Sequence, residues 1–72
     1  MEQSVALARA RESFASREWT ESYRHFAAAD REAPLEPEDL ERLATAAYLL
    51  GRDADSETYR TRAHQTTWGV SD

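Results

Sequence analysis

Pro34 and Pro37 stand three residues apart near the middle of a 72-residue chain that has no other proline. Proline donates no backbone hydrogen bond and biases the residue before it away from helix. Pro34 therefore ends the helix that precedes it. Pro37 suits the first position of a new helix, where its missing N–H costs nothing. Glu38 and Asp39 place negative charge in that first turn, where the helix dipole favours it. With Glu36 as the cap, Leu35 and Leu40 take the two positions of a hydrophobic staple. The chain is thus divided into two short halves of similar length.

Each half reads as a pair of helices. From Ser4 to Ser16, Leu7, Ala10 and Phe14 recur on one helical stripe, and Ser4 can cap the start. Arg17 and Glu18 break that stripe. A second run follows over about Trp19 to Glu32, with Trp19, Tyr23, Phe26 and Ala29 at helical spacing. The third spans about Pro37 to Leu50, with Leu40, Leu43, Ala44, Ala47 and Leu50 as its core stripe. Gly51 stops it, because glycine accepts the left-handed geometry of a helix end. Asp53 is expected to cap the fourth, which runs to about Gln65 on a poor apolar set of Ala54, Tyr59 and Ala63. Residues 67–72 have weak helix propensity and are expected to fray. Nothing alternates as a strand would, so the expected class is all-α.

A chain of this size buries only about 60% of its unfolded surface. Thirteen of its residues are alanine, so its core is thin. With no cysteine, disulfides and thiolate metal sites are excluded. No apolar run approaches the roughly 20 residues of a membrane span, and the N-terminus lacks a signal pattern; a cytoplasmic location is expected. The formal net charge is −5, and all nine basic residues are arginines scattered along the chain. That balance disfavours direct contact with nucleic acid or an anionic membrane.

Shifting the chain by 34 residues brings Ala10 onto Ala44, Ser22 onto Ser56, Ala29 onto Ala63, Phe14 onto Tyr48 and Ser13 onto Ala47. Small residues at the closest helix approach with an aromatic beside them suit tightly packed hairpins, and 34 is the period of the tetratricopeptide repeat. The chain resembles two such hairpins stacked as a short solenoid, one over residues 4–34 and one over 35–66. The second unit carries Leu40, Leu43, Ala44, Ala47, Tyr48, Gly51, Ser56 and Ala63. The first carries Ala10, Phe14, Trp19, Ser22, Phe26, Ala29 and Pro34. The first departs from the family at Arg9, usually leucine, and at Arg17, usually glycine. The second has Trp68 in place of the closing proline and Arg60 where the first has Phe26. The stretch from ALARARESF to AAYLLGRD is also similar to the N-terminal segment of actinobacterial LuxR-type transcriptional regulators, which implies a regulatory or assembly role. The absence of lysine together with abundant alanine fits a GC-rich genome.

Little in the sequence points to catalysis. His25 and His64 lack ligand spacing, the hydroxyl residues have no glycine-rich elbow, and two glycines are too few for a phosphate loop. No enzyme activity, metal or cofactor is expected. Glu38 and Arg42 read as an exposed i,i+4 pair, and Phe14, Trp19, Tyr23 and Phe26 as the core of the first hairpin.

The resemblance places Arg11, Phe14, Glu41, Arg42, Thr45 and Tyr48 on the concave face where solenoid repeats bind peptides. Two repeats without a cap are expected to leave Leu43 and Leu50 incompletely covered, and exposed apolar surface marks contacts. Trp68 and Val70 can fold back over that surface, or a second copy or a parent protein can cover it. The expected function is a non-enzymatic protein-interaction or oligomerisation module of a transcription or signalling protein. Its partner is a protein or peptide segment or a second copy. The alternative is a small-molecule-sensing bundle with a pocket near Phe14, Arg11 and Tyr48.

Overall fold

The fold is all-α, as expected, in a computed structural model that describes the backbone of residues 5–71 and the side chains of residues 5–65. Four helices follow in order: α1 (Val5–Ala15), α2 (Trp19–Glu32), α3 (Pro37–Leu49) and α4 (Asp53–Ser71). Three residues join α1 to α2 and three join α3 to α4, so each pair folds back on itself as a hairpin. α1 packs on α2, α3 on α4, and α2 on α3.

The punctuation acts as the sequence implies. Ala33, held before Pro34, is extended at φ −162° and ψ 143° and closes α2. Pro37 is the first residue of α3, the carbonyl of Glu36 accepts from the Leu40 N–H, and Leu35 and Leu40 are both buried. Two details differ. Asp53 is the first helical residue of α4 rather than its cap, because the Arg52 carbonyl accepts the Ser56 N–H at 2.9 Å. α4 also continues past Gln65 to Ser71. Ser4 lies outside the described residues, and the side chains of Trp68 and Val70 lie outside those described.

The 34-residue register reappears as backbone geometry. At the end of α1 the Arg17 N–H donates to Phe14 and the Glu18 N–H to Ser13. At the end of α3 the Gly51 N–H donates to Tyr48 and the Arg52 N–H to Ala47, each donor and acceptor 34 residues on. The residue that reverses the chain is left-handed in both turns: Arg17 at φ 63° and Gly51 at φ 82°. Inside the hairpins, Ala10 and Ala44, Ser22 and Ser56, and Ala29 and Ala63 are all buried. At the α1–α2 approach the Ser22 hydroxyl donates to the Ala10 carbonyl at 3.3 Å, which satisfies a buried polar group.

The core is small. Phe26, Leu35, Leu40 and Leu43 are its only buried large apolar side chains among the described residues, filled in by alanines. Leu43 is fully buried, which corrects the expectation of an uncovered leucine: it lies in one cluster with Phe26 and Ala29 of α2 and Ala63 of α4. Leu50 is half-buried, and its N–H donates back to Ala46 and Ala47. The outward side of α4 carries Glu57, Arg60, Thr61, His64 and Gln65, all exposed. Over the described residues that side is polar.

Polar links tie α2 to α4. Asp30 accepts both terminal nitrogens of Arg62 at 2.9 Å and the Leu35 N–H at 3.3 Å. Its pKa is lowered, chiefly by the bonds from Arg62. The Tyr23 hydroxyl donates to Asp55 at 2.9 Å, and the Arg52 guanidinium stands 4.9 Å above the Tyr23 ring. Burial, reinforced by the bond to Asp55, pushes the Tyr23 pKa up to about 12.

Two predictions follow from this geometry. A non-glycine residue in left-handed backbone costs about 1 kcal/mol. Arg17→Gly should raise the melting temperature by roughly 4–8 °C and Gly51→Ala should lower it by a similar amount. No side chain crowds Gly51, so strain alone sets that second cost. An unchanged melting temperature in either variant would contradict the assigned turns. For Tyr23, the folded pKa lies above the unfolded value of about 10. Its stabilisation is complete below about pH 10 and is lost as pH rises towards about 12. Circular dichroism melts across that window should show a steeper loss for the native chain than for Tyr23→Phe.

Candidate functional site in the groove between α1 and α3

The site is built around one buried carboxylate. Asp39, in the first turn of α3, has a side chain only 1% exposed. Arg11 of α1 reaches it through Nε at 3.2 Å and Nη2 at 2.7 Å, a two-pronged pair. Arg42, three residues on along α3, donates through Nη1 at 2.9 Å. The hydrogen bonds to Asp39 raise the Arg11 pKa. Asp39 is therefore more than a favourable first-turn charge, and Arg42 pairs with it at i,i+3 instead of with Glu38. Its register gives a sequence signal that was missed: Asp39 lies four residues before Leu43, on the buried side of α3.

Above this cluster runs an open groove of about 570 Å³, lined by Phe14, Pro37, Glu38, Glu41, Arg42 and Thr45. It adjoins a depression of about 510 Å³ that adds Arg11 and Ala15. Phe14 is fixed from behind by edge-to-face contacts with Trp19, centroids 5.3 Å apart, and Phe26, 6.4 Å apart. Five of the six residues expected on the concave face thus come together: Arg11, Phe14, Glu41, Arg42 and Thr45. Tyr48 does not join them. It is 63% exposed and lines a separate pocket with Asp53, Ser56, Glu57 and Arg60.

Comparison with known proteins finds no matching family, no similar curated protein and no similar solved structure. The function must be read from the groove itself. The side chains of Arg11 and Arg42 are 44% and 40% exposed while Asp39 holds their guanidiniums in place. Glu41 has no ion-pair partner among the described residues. Such a wall offers an apolar contact at Phe14 flanked by donors and an acceptor. No three acidic, histidine or cysteine side chains among the described residues come close enough to hold a metal ion. No helix is long and apolar enough to cross a membrane among the described residues.

The ion cluster predicts an ordering of stabilities in urea. Arg11→Ala leaves Arg42 on Asp39 and should cost about 1 kcal/mol. The double variant Arg11→Ala/Arg42→Ala strands a buried carboxylate and should cost about 3–5 kcal/mol, more than twice as much. Asp39→Ala should fall between them, because its two arginines can turn out to water. Equal costs for all three would show that the cluster does not join the hairpins.

Proposed function

We propose that this chain is a non-enzymatic protein-interaction module that holds an extended segment of a partner protein in the groove between α1 and α3. The observation that carries this reading is the pre-set wall: Phe14 backed by two rings, and Arg11 and Arg42 fixed on buried Asp39. Groups already held in place lose little freedom on binding, which is how a shallow groove gains affinity. Guanidiniums suit backbone carbonyls and carboxylates of a peptide, and Thr45 and Glu41 can take its N–H groups. The polar outer side of α4 over residues 57–65 argues for a partner segment over end-to-end stacking of copies. The resemblance to regulator N-terminal segments supports a setting in transcriptional or signalling control.

The test is site-specific photo-crosslinking in host cells. A photoreactive residue at Thr45 should give partner adducts that are lost in Phe14→Ala. The same residue at Arg31, an exposed position on α2 that lines neither the groove nor the pocket at Tyr48, should give none. Adducts from Arg31 alone would reject the groove, and light scattering should show a monomer over a tenfold range of concentration.

A further inference from the structure

The two hairpins share a backbone but not a surface, and their difference marks a second site. In the first hairpin, Tyr23, Phe26 and Asp30 meet the second: Tyr23 bonds Asp55, Phe26 shares the core with Leu40 and Leu43, and Asp30 bonds Arg62. Thirty-four residues on, these positions are Glu57, Arg60 and His64. Trp19 likewise becomes Asp53. Three of the four changes, at Asp53, Glu57 and Arg60, put a charged side chain where the first hairpin has a ring, and His64 stands where it has Asp30. One position does not follow. Phe14 becomes Tyr48, still aromatic and 63% exposed.

Around Tyr48 is a pocket of about 470 Å³ lined also by Asp53, Ser56, Glu57 and Arg60. In the first hairpin the matching places hold rings: Trp19 and Phe26 stand edge-to-face against Phe14. In the second, charged side chains replace both rings, and the ring of Tyr48 has no aromatic neighbour among the described residues. Among the described residues no aromatic side chain takes the place against Tyr48. Its rim carries the carboxylates of Asp53 and Glu57 against the single cation of Arg60. None of the three has an ion-pair partner among the described residues, and the whole chain carries −5.

We propose that this pocket binds an aromatic side chain flanked by basic residues, presented by a segment of a partner protein. The ring stacks on Tyr48, as Trp19 packs on Phe14, and the flanking cations pair with Asp53 and Glu57. This site is distinct from the groove between α1 and α3, and its test does not depend on that groove.

The experiment is a titration of the full isotope-labelled chain with blocked tripeptides, followed by amide shifts in nuclear magnetic resonance. Lys-Trp-Lys should shift the amides of Tyr48, Asp53, Ser56, Glu57 and Arg60 saturably. It should bind roughly fivefold more tightly than Glu-Trp-Glu, the worth of one or two exposed ion pairs. Lys-Leu-Lys should bind more weakly than Lys-Trp-Lys, since it offers no ring. Tyr48→Ala, which removes an exposed ring and should fold normally, should abolish the shifts. Asp53→Asn/Glu57→Gln, which leaves Arg60 as the pocket's charge, should abolish the preference for Lys-Trp-Lys over Glu-Trp-Glu. Absence of saturable shifts at these residues, or equal binding of all three peptides by the native chain, would overturn the proposal. Shifts confined to residues of the groove would do the same, while leaving the groove reading intact.

Discussion

The buried carboxylate of Asp39 is the fixed point on which the candidate groove depends. A carboxylate taken out of water is costly unless it is paired and hydrogen-bonded. Here it accepts from α1 through Arg11 and from its own helix through Arg42. The pairing sets where α1 lies beside α3, and so sets the width of the groove above them. It also holds both guanidiniums in place on side chains that stay part-exposed. One structural constraint therefore produces both the seam between the hairpins and the polar wall of the site.

Apolar area alone gives this seam little. Among the described residues only Phe26, Leu35, Leu40 and Leu43 are large, apolar and buried, and alanine fills the rest of the apolar core. Alanines allow close helix approach but offer little shape to fix one register over another. Directional links supply that selection: Arg11 to Asp39 on one side, and Tyr23 to Asp55 and Asp30 to Arg62 on the other. Ion pairs of this kind add modest net stability, and their value lies more in geometry. A slipped register would strand Asp39 without its arginine.

The helices were legible in the sequence because their boundaries rest on local chemistry. Pro34, Pro37 and Gly51 act through their own backbone restrictions, whatever packs around them. The 34-residue register was legible for a related reason: small residues are required where helices touch, so Ala10, Ser22 and Ala29 had to recur. The seam was not legible in the same way. A first-turn acid already has a sufficient local explanation, and that explanation hid the role of Asp39. Leu43 was misread because helical spacing gives the side of α3 that is apolar, but not that α2 and α4 both close over it. Arg42 has acids at i−4 and i−3, and only the burial of Asp39 decides between them.

Repetition of the backbone with divergence of the side chains separates what the fold needs from what lies free for other use. Ala10 and Ala44, Ser22 and Ser56, and Ala29 and Ala63 stay small because each pair sits where two helices meet. Arg17 and Gly51 differ in residue yet hold the same left-handed turn, so the turn belongs to the hairpin and not to the glycine. Phe26 is covered by the second hairpin, whereas Arg60 is exposed. Asp53, Glu57 and Arg60 have lost the rings that Trp19, Tyr23 and Phe26 carry in the first hairpin. Tyr48 has not, and neither burial nor a hydrogen bond of its hydroxyl within the described residues accounts for a ring there. An aromatic kept on a face otherwise turned polar is the residue whose reason lies outside the fold.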